Sequence, residues 1–208
     1  MSDNLIDLGT ASLFTLDPNW VDRPNLGFLP WRQVVQFPGT VGIVNSLGSL
    51  ASLTYNVGFL LDRSDYNYML GFMTARGGNA YRFWFRQPTQ AFTLKATAGI
   101  GALTIYVERN EFDWNWQGDE RFYIEMVNGD IITRKITTLY ENVGQDRLEI
   151  TFGTPLDRTI APSAVLRIGR LLLVRFESSD FTFKMQDQET TECSFKVLEL
   201  LYEYSEII

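Results

Sequence analysis

The segment at residues 113–120 (DWNWQGDE) holds the densest set of side chains that could bind a ligand. Its Asp-x-Asn-x-x-Gly opening resembles a calcium loop, but Ile124 stands at the twelfth position, where a bidentate acid is expected. Aromatic rings beside Asp and Asn also suit a sugar ring and its hydroxyl groups. The third interpretation, which we favour, is a loop between strands whose Trp114 and Trp116 pack on a neighbouring domain or subunit.

Other candidate groups fit structural roles. The acids at 119–120, and Asp187 with Glu189, could act as an acid and base pair, but they lie in loops where solvated charges are expected. The Gly-Ile-Gly at 99–101 lacks the third glycine, the Lys-Ser/Thr pair and the helix of a nucleotide-binding loop, so it is predicted to be a turn. Residues 77–78 (GG) are predicted to end a helix rather than to hold a phosphate.

The composition removes most of the remaining catalytic chemistry. The chain has no histidine, and its single cysteine is Cys193. Histidine is the usual group for proton transfer and metal binding, and cysteine is the usual alternative nucleophile and soft ligand. Ser/His/Asp and Cys/His hydrolases and nearly all zinc sites are therefore excluded. We expect a structural or binding protein rather than an enzyme, without a cofactor or metal, in which Cys193 is a buried small hydrophobe.

The net charge and the distribution of apolar residues limit the kinds of partner that the chain is expected to bind. The net charge is −7, which argues against nucleic-acid binding, because a broad nucleic-acid interface needs clustered Lys and Arg. The first residues show no basic region followed by an apolar run, so no signal peptide is expected. An apolar run of membrane-spanning length is also missing from the sequence, so we expect no membrane insertion and synthesis in the cytoplasm.

Residue periodicity predicts a mainly β protein with one helix. Residues 53–59 alternate strictly and predict a strand, whereas Tyr66, Met69, Leu70 and Met73 lie on one stripe of a helix. Asp62 or Ser64 is expected to cap that helix. The Asn-Gly at 128–129 predicts a hairpin with a type I′ turn. Further strands are predicted at 81–85, 92–94, 103–107, 122–126, 131–139, 147–152, 165–176 (one bent strand or two), 181–185 and 193–197.

The N-terminal residues 1–29 are interpreted as an extended arm that is irregular over residues 9–30, because Pro18, Pro24 and Pro30 disfavour a helix or a central strand. The arm either docks on a neighbouring molecule or packs over its own domain. Its aromatic residues, and one just beyond it, are candidate interaction residues: Trp20, Phe28 and Trp31. Deleting residues 1–30 is expected to weaken assembly without unfolding the core.

The strand spacing predicts a β-sandwich and a β-barrel in a nested arrangement. Pro88 and Gly169 bracket a self-contained set of strands, so residues 89–169 are predicted to form an inserted small barrel. The flanks, 30–88 and 170–208, are predicted to pair as a second domain with the helix over its sheet.

The order of these predicted elements along the chain bears on the family to which the chain is similar. A strand at 53–59 leads into a helix that begins with residues 62–64 (DRS), and residues 76–85 (RGGNAYRFWF) form a glycine turn and the next strand. Residues 101–107 (GALTIYV) and 118–124 (GDERFYI) then lead into the small barrel. This arrangement, over residues 50–200, resembles the distal tail (baseplate ring) proteins at the tail tip of tailed bacteriophages.

The resemblance implies a belt domain that forms a ring, usually hexameric, with a galectin-like or OB-like barrel facing outward. Such a ring joins the tail tube protein to the baseplate hub and to tail fibre or receptor-binding proteins. The expected location is the virion tail tip, after synthesis in the cytoplasm of the host bacterium. The main rival interpretation is a carbohydrate-binding adhesion module, and a third is an enzyme that uses carboxylates.

Overall fold

The computed structural model describes residues 4–5, 8, 11–19, 25–29, 32–35, 43–46, 52–78, 80–87, 92–108, 121–178, 181–187 and 189–200. Over these residues the fold is mainly β with one α-helix, as the periodicity predicts. The helix is α1 (Arg63–Ala75), and two 3-10 turns lie at Val143–Gln145 and Pro162–Ala164. The strands are β1 (Asn4–Leu5), β2 (Asn25–Leu29), β3 (Arg32–Val35), β4 (Ile43–Ser46), β5 (Ser52–Leu61), β6 (Phe83–Arg86), β7 (Thr104–Glu108), β8 (Arg121–Met126), β9 (Ile131–Asn142), β10 (Arg147–Phe152), β11 (Val165–Phe176), β12 (Thr182–Met185) and β13 (Thr191–Glu199).

The described residues divide into two compact units. Those within 1–15 and 83–172 form the first, here called the barrel unit. Those within 16–82 and 173–201 form the second, here called the sheet unit. The limits proposed from the sequence for an arm, a belt domain and an inserted barrel remain a prediction.

The strand pairs of the barrel unit form a closed circuit that begins and ends at β11. β11 pairs with β8, β8 with β9, β9 with β10 and β10 with β7, in each case antiparallel. The chain after residue 91 completes the path, because Phe92 bridges Ile168 of β11 and Leu94 bridges Val107 of β7. A closed path of this kind is the pairing of a small β-barrel. Its assignment as galectin-like or OB-like stays a prediction.

Apolar side chains fill the interior of this barrel, as period-2 alternation along its strands requires. They come from every strand of the closed path and from the loop before β11. The buried members are Phe92, Leu94, Ala98, Ile105, Val107, Phe122, Ile124, Met126, Ile132, Ile136, Ile150, Phe152, Leu156, Ile160 and Ile168.

A charged side chain, Arg134 of β9, lies among these apolar residues. It stands opposite Phe122 of β8 in the strand register and is fully buried. Its guanidinium donates to three backbone carbonyl oxygens, those of Thr133 (2.8 Å), Thr154 (3.2 Å) and Pro155 (3.1 Å). Arg134 therefore connects the chain segment after β10 to β9 through hydrogen bonds from a charged donor, which are stronger than neutral ones.

β13 is the centre of the sheet unit. One edge of β13 pairs antiparallel with β5, and the other edge is shared by β12 and the last residues of β11. β2 pairs with the far edge of β5, and β3 and β4 form a separate two-stranded sheet. Buried and exposed residues alternate along β13, so one face of its sheet is apolar. On that face the Phe195 ring packs against Phe59 and Phe176, with ring centroids 5.0 and 5.1 Å away.

Helix α1 begins and ends as its sequence predicts. Asp62 is the N-cap, and its carboxylate accepts a 2.8 Å hydrogen bond from the backbone N–H of Asp65. At the other end, Gly77 and Gly78 adopt φ values of 57° and 64°, and the N–H of Gly78 bonds the carbonyl of Met73. This is the Schellman arrangement, which glycine adopts without a Cβ penalty.

We expect Asp62→Ala to lower the free energy of unfolding by about 1 kcal/mol, because it removes an N-cap hydrogen bond. The matched control is Ser64→Ala. Ser64 is the other cap candidate of the sequence, but it is an exposed residue within the helix. Urea unfolding followed by circular dichroism measures both variants. An equal loss in the two variants would contradict the assignment of Asp62 as the cap.

Two predictions about local structure are wrong. The hairpin at 128–129 exists, but only Gly129 has positive φ (86°), whereas a type I′ turn needs positive φ at both central residues. The N–H of Gly129 bonds the carbonyl of Met126, which is the pattern of a type I turn followed by a glycine bulge. The side chain of Asn128 stabilises this longer loop by accepting from the N–H of Asp130 (3.1 Å).

The second wrong prediction is that residues 9–30 are irregular throughout. Residues 25–29 form β2 and pair antiparallel with β5, and residues 4–5 pair in parallel with β9. The prolines at 18, 24 and 30 flank β2 rather than interrupt it. β2 pairs on one edge only within the described residues, which agrees with the expectation that prolines exclude a central strand.

Candidate functional site

Most of the interaction residues predicted from the sequence lie outside the described residues. These are Trp20, Trp31, Trp114 and Trp116, so the calcium and loop interpretations of 113–120 stay predictions. Phe28 lies in β2, and its backbone pairs with Leu53 of β5. The structure therefore describes no side-chain contact for any of the five candidate interaction residues.

Asp187 and Glu189, the acid and base candidates within the described residues, form a hydrogen-bonded turn. The Asp187 carboxylate accepts from the backbone N–H groups of Glu189 (2.8 Å) and Thr190 (2.7 Å). These bonds lower its pKa below the usual range, because they favour the ionised form. A general acid or base works best with a pKa near the operating pH, so a lowered pKa on an exposed loop suits a structural turn.

The single thiol is buried and the metal-ligating residue types are scattered. Cys193 lies on the buried face of β13, and burial raises its pKa to about 11, as expected for a small hydrophobe rather than a nucleophile. Among the residues that the structure describes, no group of three or more His, Cys, Asp or Glu could hold a metal ion. The described part also has no helix that is both long and apolar enough to cross a membrane. Residues 99–101 form a turn, as predicted, with Gly101 at φ 81°.

Part of the N-terminal segment is built into the barrel unit. We call residues 8 and 11–15 the N-terminal strap. Its Leu13 forms a parallel bridge with Trp84 of β6, and the Phe14 N–H donates to the Trp84 carbonyl (2.9 Å). The Trp84 indole N–H in turn donates to the Leu8 carbonyl (2.8 Å). Phe14 is fully buried, with its ring 6.1 and 6.0 Å from the rings of Phe83 and Phe85.

Charged side chains, most of them buried, interact with β6 and with one another. Arg86 and Arg167 each approach the same Glu125 oxygen, Oε2, at 3.0 Å. Arg86 also donates to the carbonyl of Thr15 at the end of the strap. Arg121 of β8 stacks over the Trp84 ring, with its guanidinium carbon 4.7 Å from the ring centroid. Ion pairing and hydrogen bonding offset the free-energy cost of burying these charges. The cluster therefore stabilises the packing of the strap against β6.

The outer face of β7, β10 and β9 carries an ordered set of polar and aromatic residues. Tyr106, Glu149 and Tyr140 stand side by side in the strand register, one on each strand, and we call them the tyrosine row. Directly paired side chains on one face lie about 5 Å apart. Tyr140 is 59% exposed. The neighbouring rows on this face are Glu108, Arg147 and Asn142 on one side, and Thr104, Thr151 and Thr138 on the other.

Hydrogen bonds orient the carboxylate at the centre of the tyrosine row. Glu149 Oε1 accepts from Arg147 Nε (2.9 Å), Arg147 Nη2 (2.7 Å) and Asn142 Nδ2 (3.1 Å). Arg147 also stacks on the Tyr106 ring, with its guanidinium carbon 3.9 Å from the centroid. The hydrogen bond from Asn142, followed by those from Arg147, lowers the pKa of Glu149 below its usual range. The carboxylate is therefore ionised and held in one orientation.

Sequence reasoning did not find the tyrosine row. Alternation along 103–107 and 147–152 does indicate that Tyr106 and Glu149 share their strands' outward sides. Their adjacency, however, depends on the pairing of three strands in a particular register, and register is a property of long-range contacts. The strap was missed for the same reason, since its partner, β6, is about seventy residues away in the chain.

Comparison of the chain with known proteins finds a weak similarity to a solved structure. No protein-family model and no curated protein matches the chain. Among solved structures, a chain of the virion of a native gene transfer agent (GTA) particle is similar, with a TM-score of 0.41 and 14% sequence identity. The similarity covers 92% of this chain and 98% of that chain. A TM-score at this level assigns neither fold nor function.

Proposed function

We propose that the chain is a structural virion protein of a bacteriophage tail tip. It forms a ring, hexameric in the resembling family, that connects the tail tube protein to the baseplate hub and to tail fibre or receptor-binding proteins. The observation that carries the proposal is the order of elements. β5 leads into α1, the glycine turn leads into β6, and the closed barrel follows, in the same chain order as the segments on which the resemblance rests.

The local chemistry of the described residues is compatible with this role. The buried charged groups around β6 hold backbone and one another, and the thiol is buried with a raised pKa. These groups stabilise a fold rather than assemble around a cleft. The proposed interaction residues are those of the sequence analysis, with Trp20, Phe28 and Trp31 as the candidate anchors between copies and at least one of Trp114 and Trp116 facing outward to a partner protein.

The mass of the full chain in solution tests the ring. Sedimentation velocity should give a ring-sized multiple of the 23.9 kDa chain. Trp20→Ala and Trp31→Ala should each shift the distribution toward the monomer, because large aromatic anchors carry much of an interface's binding energy. Tyr81→Ala is the matched control, since Tyr81 is an exposed aromatic (61%) that the proposal assigns to no interface.

Two results would contradict the proposal. A wild-type chain that stays a monomer over a hundredfold range of concentration would exclude self-assembly into a ring. A ring that is unaffected by both tryptophan substitutions would exclude the proposed anchors, provided that circular dichroism shows the variants to be folded. A monomer that binds a glycan through the 113–120 loop would instead favour the adhesion module.

A further inference from the structure

We propose that the outer face of β7, β10 and β9 is a binding site for a neutral oligosaccharide, centred on the tyrosine row. The inference is independent of the tail-tip proposal, because it uses only the arrangement of side chains on the barrel unit. It also differs from the sugar-binding interpretation of Trp114 and Trp116, which lie on another segment of the chain.

The first argument is the state of the Glu149 carboxylate. All three of its hydrogen bonds converge on Oε1, from Arg147 and Asn142. Oε2 receives no hydrogen bond from the residues that the structure describes, although it belongs to an oriented and ionised group. Its side chain is 22% exposed, so a ligand can reach it. A sugar hydroxyl donating to such an oxygen makes a charge-assisted hydrogen bond, which is stronger than a neutral one.

The second argument is the pair of aromatic rings beside this carboxylate. Tyr140 and Tyr106 flank Glu149 in register, so about 10 Å separates the two tyrosine positions along the row. Arg147 covers one face of Tyr106 and restrains the ring, whereas Tyr140 is largely exposed. A tyrosine offers an apolar ring and a hydroxyl tip, which suits the alternating apolar and polar faces of a sugar.

The third argument is the row of hydroxyl groups next to the tyrosines. Thr104 and Thr151 face each other with their Oγ1 atoms 3.0 Å apart, and Thr138 completes the row. Each threonine hydroxyl can donate one hydrogen bond and accept others. Polar groups that both donate and accept match a ligand made of hydroxyl groups.

The charges on this face favour a neutral ligand. Glu149 is neutralised by Arg147, and Lys95 lies against Asp146 and the carbonyls of residues 145 and 146. Glu108, at the end of the neighbouring row, adds a negative charge. Phosphates need an excess of positive charge, which neither this face nor the chain, with its net charge of −7, provides.

Saturation-transfer NMR on the full chain tests the site. The probes are neutral tri- and tetrasaccharides of glucose, galactose and N-acetylglucosamine, with a single-stranded oligothymidine as the nucleic-acid arm. We expect at least one saccharide to bind and the oligothymidine not to bind. Tyr140→Ala and Glu149→Gln should each weaken saccharide binding by about tenfold or more, because one removes the exposed ring and the other the ionised acceptor.

Tyr81→Ala is the matched control and should leave saccharide binding unchanged, since Tyr81 is equally exposed but lies in the sheet unit. The proposal is overturned if no saccharide in the set binds, if Tyr140→Ala and Glu149→Gln bind as the wild type does, or if the oligothymidine binds this face. None of these results depends on whether the chain forms a ring, so the two proposals fail separately.

Discussion

Replacing Arg134 with methionine should lower the free energy of unfolding of the barrel unit by about 3 kcal/mol. The substitution keeps an apolar stem of similar length but removes the donors to the carbonyls of Thr133, Thr154 and Pro155. Bonds to a charged donor contribute about 1.5–3 kcal/mol each, and the relief from burying a guanidinium offsets part of their loss. The Thr133 carbonyl loses this donor in a fully buried residue, whereas Thr154 is half-buried and Pro155 is exposed, so water can replace part of what they lose.

Urea unfolding at equal m-values measures this loss, and Arg158→Met is the matched control. Arg158 pairs with Asp130 (2.9 Å) and Asp157 (3.3 Å), and its own side chain is partly exposed, so its removal should cost less than that of the fully buried Arg134 although Asp130 is buried. Arg134→Lys tests the geometry. A single ammonium cannot reproduce the fork of the guanidinium, so we expect lysine not to restore the wild-type stability. A loss no greater in Arg134→Met than in Arg158→Met would show that the buried arginine is not a structural clamp.

The features predicted well from the sequence are those decided by neighbouring residues. Helix α1 has its cap, its buried Met69 and Met73 and its glycine stop within one short segment, and all of them agree with the structure. Strands β5 to β13 follow in the same way from alternation over a few residues, whereas β1 to β4 were not predicted and the segment at 92–94 forms isolated bridges. The turn at 128–129 was placed correctly but given the wrong type, because a side-chain bond from Asn128 to Asp130 stabilises a longer loop.

The features that sequence reasoning could not reach depend on contacts between distant segments. Alternation places Arg134 on the inner side of β9, but a charge there contradicts the usual preference of arginine for the surface. Only the position of the 154–155 carbonyls explains it. The tyrosine row likewise needs the register of three strands. Four of the five interaction residues chosen from the sequence lie outside the described residues, so that choice is still a prediction.

Removing the N-terminal strap should unfold the barrel unit rather than only weaken assembly. The expectation from the sequence was that deleting residues 1–30 leaves the core intact, but Leu8, Ala11, Leu13 and Phe14 are buried members of that core. Phe14 is fully buried, with its ring near those of Phe83 and Phe85. The Trp84 carbonyl accepts from the Phe14 N–H, and the Trp84 N–H donates to the Ser12 carbonyl. Truncating a buried phenylalanine to alanine costs about 3–5 kcal/mol, a large share of a domain's total stability.

The graded series Phe14→Leu, Phe14→Ala and deletion of residues 1–15 separates core packing from interface contact. If the strap is core, the unfolding midpoint falls in that order, because each step removes more buried apolar surface and the deletion also removes the partners of Trp84 and Arg86. The matched substitution Phe183→Ala removes a half-buried ring that contacts Tyr66 edge-on in the sheet unit, so it should cost less than Phe14→Ala. If the deleted chain keeps the wild-type unfolding midpoint but no longer assembles, the strap is instead an arm that binds a neighbouring copy.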